Sequence, residues 1–160
     1  MGIDRPLAEQ ADNEEIICCQ LWMKDSDADA ICDVIKKGKV KKMALANNML
    51  GEEACNKIAD ALIENTSLEW FSIAGNRFGD EGGRHFVRVL ENNTTLKSLF
   101  LCTNKMSEEV DDELWAVNDR REKPLTENLY GLVLDHPSPA ARERAEKKKQ
   151  EAKNKPKKAG

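Results

Sequence analysis

Val40-Lys41-Lys42-Met43-Ala44-Leu45-Ala46-Asn47-Asn48, Leu68-Glu69-Trp70-Phe71-Ser72-Ile73-Ala74-Gly75-Asn76 and Leu96-Lys97-Ser98-Leu99-Phe100-Leu101-Cys102-Thr103-Asn104 follow one pattern, L-x-x-L-x-L-x-x-N with an apolar residue at each L. The asparagines are spaced by 28 residues, and the same step relates Gly51 to Gly79 and Asn65 to Asn93. Alternating apolar residues predict a short strand in each copy. Between strands, Ala54, Ile58, Ala59 and Leu62 fall on one face of a helix. Steps of 28 carry that face forward to Gly82, Phe86, Val87 and Leu90, then to Val110, Leu114, Trp115 and Asn118. One step back reaches Ser26, Ala30, Ile31 and Val34. Acidic residues open each helix (Asp27, Glu52, Asp80, Glu108), where they favour the positive end of the helix dipole.

The pattern breaks at both ends. A step back from the first strand lands on Asp12, Glu15, Ile17 and Gln20, of which only Ile17 fits, while Ile16 and Leu21 allow another register. Downstream, Leu129-Tyr130-Gly131-Leu132-Val133-Leu134-Asp135-His136-Pro137 restores L-x-x-L-x-L, but 33 residues after the previous copy and with Pro137 at the asparagine position. An insertion around 119–128 and that proline mark a closing strand. Then Ser138-Pro139 reads as a helix start, serine as N-cap and proline at the first helical position.

Strand and helix alternating in phase over roughly residues 26–118 resemble the leucine-rich repeat family, in its ribonuclease-inhibitor-like class of about 28 residues per unit. The resemblance implies an α/β solenoid of about four strand–helix units with degenerate caps. A short parallel sheet would line its concave face and helices its convex face. The division that follows is a flexible N-terminus (1–11), a solenoid with caps (12–137), and a basic tail, helical then disordered (138–160). Asn48, Asn76 and Asn104 stand where a buried amide can bridge the backbones of neighbouring turns. The wording of 42–47, 64–68 and 92–99 also looks like the repeat domain of tropomodulins, which cap actin filament ends; similar repeats occur in flagellar axoneme components.

Composition narrows the function. The 160 residues are 34% charged with a net charge of −4, and that figure hides a split. Residues 139–160 hold nine Lys/Arg against three Glu, so the tail is +6 and the rest −10. No apolar run is long enough to cross a bilayer, and the first residues lack the charge and apolar core of a secretory signal. Five scattered cysteines, without CxxC spacing, fit a reducing compartment and argue against a zinc site. The expectation is a cytoplasmic protein, with cytoskeletal or flagellar placement implied by the second resemblance. No cofactor or metal is expected, since the glycine-rich 75–83 lacks the Lys-Ser/Thr of a phosphate loop and Asp111-Asp112 lack EF-hand spacing. His85 and His136 have no nucleophile beside them, so the chain reads as a non-enzyme, with Asp111-Asp112 on the solvated surface.

The concave face is the candidate site. Side chains alternate along a strand, so the residues between core positions face outward. Lys42, Trp70, Ser72, Phe100, Cys102, Tyr130 and Val133 then form an aromatic cluster over a small apolar floor with a polar rim, as in an interface hot spot. Its occupant is either another protein, for which actin or an axonemal component are the resemblance's candidates, or the chain's own termini folded back. The tail's Lys147, Lys148, Lys149, Lys157 and Lys158, interspersed with Glu, form a solubilising helix or reach an acidic surface or RNA. Without aromatic residues for stacking, nucleic acid is the weaker reading.

Overall fold

The computed structural model describes residue 7 and residues 9–127 and 131–154. Tyr130, Lys157 and Lys158 lie outside the described residues. Five strands, β1 (Glu15–Ile17), β2 (Lys42–Ala44), β3 (Trp70–Ser72), β4 (Ser98–Phe100) and β5 (Leu132–Val133), form one parallel sheet in sequence order. The connections carry helices α1 (Ala28–Lys36), α2 (Glu52–Glu64), α3 (Gly79–Asn92) and α4 (Glu108–Asp119). A last helix, α5 (Pro139–Asn154), follows the sheet. Each helix from α1 to α4 packs on the next, and the core lies between helices and sheet.

Met43, Phe71 and Leu99 are paired across β2–β4 at offsets of 28 and are fully buried, with Leu45, Ile73 and Leu101 two residues further on. The closing strand keeps the offset of 33, Leu99 pairing with Leu132. The first unit is 27 residues, because Ile16 pairs with Met43. Ile16 is therefore the core residue, while Ile17 is 50% exposed. The shorter unit also rotates α1: Ala28, Ile31, Cys32, Val34 and Ile35 are buried, whereas Ser26 is exposed and Ala30 only half-buried. Upstream, Leu7 and Ala11 are buried in the same core.

Two asparagine series tie the units together. Asn76 donates through Nδ2 to the carbonyls of Leu45 (3.0 Å) and Ile73 (2.8 Å), and its Oδ1 accepts from the Leu50 amide (3.0 Å). Asn104 repeats this toward Ile73 and Leu101 while accepting from the Asn76 amide. Asn48 does so toward Cys18 and Leu45. A second series, unread from the sequence, follows the helices. Asn65 Nδ2 donates to the Ile35 carbonyl (2.8 Å) and Asn93 Nδ2 to that of Leu62 (2.6 Å). One step on, the Arg121 guanidinium takes the amide's place, donating to the carbonyls of Leu90 (2.7 Å) and Asn93 (2.8 Å). These bonds supply a side-chain donor to carbonyls at buried helix ends, where Ile35 and Leu62 otherwise accept turn amides such as Gly38 (3.1 Å) and Asn65 (3.2 Å). The insertion is anchored in the same way, Asn118 exchanging two 2.8 Å bonds with the Leu125 backbone.

Gly83 sets the approach of α3 to the next unit. A Cβ there would overlap Met106 Sδ and lie 2.8 Å from Val110 Cγ1. Gly83→Val should cost about 1–3 kcal/mol through overpacking, measured by urea unfolding; a loss below about 0.5 kcal/mol would mean that Met106 swings clear.

Candidate functional site: the concave strand face

The ladder register fixes which outward side chains are neighbours. One row reads Glu15, Lys42, Trp70, Ser98, and the next Ile17, Ala44, Ser72, Phe100, Val133. A third, just past the strands, reads Cys19, Ala46, Ala74, Cys102, each half-buried.

Trp70 and Phe100 sit on adjacent strands in adjacent rows. Their ring centroids are 4.9 Å apart at 42°, and both rings stay partly exposed. Lys42 brings its Nζ to 5.0 Å from the centre of the Trp70 ring and pairs with Glu15 at 3.0 Å. The ring pair thus has a cation at one side, a contact that attracts because the face of an indole is electron-rich. Lys41–Glu14 (2.7 Å) and Lys97–Glu69 (3.0 Å) form ion pairs at the strand starts. Ser72 and Ala44 are buried beneath the larger side chains, and Val133 is half-buried at the closing end. Cys102 is half-buried too, and burial, followed by the Asp135 carboxylate, pushes its thiol pKa up, away from thiolate reactivity. The structure therefore brings Lys42, Trp70, Ser72, Phe100, Cys102 and Val133 onto one face. Ile17, unread as a site residue, extends that face toward β1.

The C-terminal helix does not cover this face. Its docking is local: Ser138 caps it, bonding Glu127 through its amide (2.7 Å) and its hydroxyl (2.6 Å), and Arg142 forms ion pairs with Glu108 and Asp112 of α4. From residue 143 to 154 every residue is exposed, including Lys148, Lys149 and Lys147, the last paired with Glu143 at 2.9 Å.

The two histidines differ. His85 lies on α3, with Nδ1 3.5 Å from the Arg88 guanidinium. His136 meets Asp111, whose side chain has no exposure at all. That corrects the expectation of a solvated Asp111-Asp112 pair: Asp111 lies four residues before core Trp115, on the buried stripe of α4. Asp111 Oδ2 contacts His136 Nδ1 at 2.6 Å and accepts the His136 amide at 3.0 Å, while Oδ1 has no hydrogen-bond partner among the described residues. Burial holds the Asp111 carboxyl above its ordinary pKa, against the lowering pull of His136. Among the described residues, no three metal-ligating side chains cluster, and no helix is long and apolar enough to cross a membrane.

The arrangement defines a leucine-rich-repeat-like solenoid with an aromatic pair on its strand face. No sequence-family profile matches the chain, and no curated protein is similar to it in sequence. Among solved structures the chain is similar to leiomodin-1 actin-binding site 2, with a TM-score of 0.74 at 18% identity over 96% of this chain and 98% of that one. It is also similar to the tropomodulin C-terminal domain of Caenorhabditis elegans, with a TM-score of 0.68 at 11% identity over 91% and 90% of the two chains. At these identities the likeness is one of fold.

Proposed function

We propose that the chain is a non-enzymatic protein-binding module, an adaptor or structural subunit that holds its partner on the concave strand face. It would be built from units of the ribonuclease-inhibitor-like class. The observation that carries this reading is the Trp70–Phe100 pair, half-exposed beside Lys42 over a floor of small residues. Aromatic anchors with a polar rim are where interface energy concentrates. A cytoskeletal partner, actin filaments first, is supported by the fold shared with a domain named as an actin-binding site.

The test compares wild type with Trp70→Ala/Phe100→Ala in co-sedimentation with actin filaments, in filament-end elongation, and in proximity labelling. Removal of both rings should weaken capture by about a hundredfold, some 2–3 kcal/mol. Partners equally labelled by both proteins would remove the concave face as the binding surface. No effect of wild type on actin would remove the cytoskeletal partner and leave the general reading standing.

A further inference from the structure

A second surface runs along the loops that follow the strands. The ladder asparagines Asn48, Asn76 and Asn104 are followed by Met49, Arg77 and Lys105, and the matching residue of the first unit is Trp22. The stripe thus reads aromatic, thioether, guanidinium, ammonium. Trp22 is 74% exposed, the most exposed large apolar side chain among the described residues. Trp22, Met49 and Arg77 line a cleft of about 400 Å³ together with Gln20 and Asn47.

Trp22 is held in this position. The amides on either side, Leu21 and Met23, both donate to Asn48 Oδ1 (2.9 and 3.1 Å), and the Met23 carbonyl accepts from the Met49 amide (2.7 Å). Met23 is fully buried, and Trp22 itself takes φ +58°, a left-handed conformation costing a non-glycine residue about 1–2 kcal/mol. Lys105, at the same position three units on, also takes φ +60°. Bonds to the asparagine series oppose that cost and fix an indole in solvent, where apolar burial gives no return within the chain.

The charge is equally one-sided. Arg77 and Lys105 are exposed and, among the described residues, neither forms an ion pair. The nearby carboxylates are turned to backbone amides: Asp25 to Gly51 (2.6 Å), Asp80 to Ser107 (2.6 Å) and Asp135 to Thr103 (2.9 Å). The outward face of the stripe therefore offers cations to a ligand although the solenoid as a whole is acidic.

We propose that this stripe docks an extended acidic segment of a partner protein, an apolar side chain seated against Trp22 and Met49 and carboxylates on Arg77 and Lys105. Strands about 5 Å apart place Arg77 and Lys105 about 10 and 15 Å from Trp22; at about 3.3 Å per residue, with alternate side chains facing the stripe, the carboxylates that share the anchor's face and fall within reach of these long side chains lie about two and four residues from it. The surface is separate from the concave rows, so it stands or falls independently of the function proposed above.

The probe is an immobilised array of short synthetic peptides, each with one leucine and with glutamate, serine or lysine at the following positions. Wild type should be retained by peptides with glutamates about two and four positions from the leucine, and less by peptides with them about one and three positions away. Trp22→Ser should weaken retention about tenfold, and Arg77→Glu/Lys105→Glu should move the preference to lysine peptides. Trp70→Ala/Phe100→Ala should bind as wild type does. Should Trp22→Ser fail to fold, the charge reversal decides alone. Retention indifferent to peptide charge, or no retention of any peptide by wild type, overturns the proposal. So does a concentration-dependent dimer or anionic-vesicle binding lost in Trp22→Ser, either of which gives the stripe to a second copy or to a lipid surface.

Discussion

Asn76→Ala should lower the free energy of unfolding by about 3–4 kcal/mol, a large part of the 5–15 kcal/mol typical of a domain. The Leu45 carbonyl is shared with Asn48 and the Ile73 carbonyl with Asn104, so each loses one of two donors and keeps the other. The Leu50 amide is worse placed, because Asn76 Oδ1 is its acceptor and Leu50 is fully buried. An orphaned buried amide costs about 1–3 kcal/mol by itself, and the two weakened carbonyls add roughly 0.5–1.5 kcal/mol each. Asn76→Asp separates the terms. It keeps an acceptor for Leu50 but sets a carboxylate against two carbonyls, so it should be at least as damaging at neutral pH. On acidification the protonated acid regains one donor, and part of the loss should return. Urea unfolding of the three proteins at neutral and acid pH measures this. A loss under about 1 kcal/mol for Asn76→Ala would mean that water enters and replaces the amide.

What was legible in the sequence follows from what neighbours enforce. Met43, Phe71 and Leu99 each have a paired strand on both sides, so a change of phase would turn a whole strand inside out, and the period survives in the residues. The first unit has a neighbour on one side only. There Ile16 and Ile17 are equally apolar, and only the pairing shows that the step is 27. Asn65, Asn93 and Arg121 are evenly spaced, yet the change of side chain hides that a guanidinium completes the series. Of the candidate site, the outward rows could be read because alternation is simple. The facing of Trp70 toward Phe100 depends on register, and the display of Trp22 depends on a positive φ that no residue type announces. Asp111 looked solvated beside Asp112, while its own helical phase with Trp115 and Asn118 already placed it inside.

His136→Ala should cost about 3 kcal/mol at neutral pH, and less as the pH falls. Asp111 is a buried carboxylate whose Oδ2 rests on the His136 ring and amide, and the substitution leaves it only the amide. The sign follows from its raised pKa. In the unfolded chain the carboxyl titrates near 3.8; in the folded protein it titrates higher, because burial outweighs the His136 contacts that lower it. Stability from this group is therefore complete below the unfolded value and is lost as pH rises through the folded one. Removing the ring deletes the principal lowering influence and widens that window upward. The variant should thus approach wild-type stability near the unfolded pKa and diverge toward neutrality. Asp12 and Asp80 run the opposite way, Asp12 held low by Lys39 and Lys37 and Asp80 by the Ser107 amide, so their contributions fade on acidification in both proteins and cancel in the difference. Asp111→Asn/His136→Gln carries no buried charge and should erase the pH dependence of the difference. A His136→Ala deficit that is constant between acid and neutral pH would show that Asp111 is already neutral in the fold. The pair also closes the array, because Trp115 Nε1 donates to the His136 carbonyl at 3.0 Å and α5 begins three residues later. Loss of the ring should therefore raise amide exchange first at residues 131–142, before the central strands respond, since a solenoid transmits destabilisation only between neighbours.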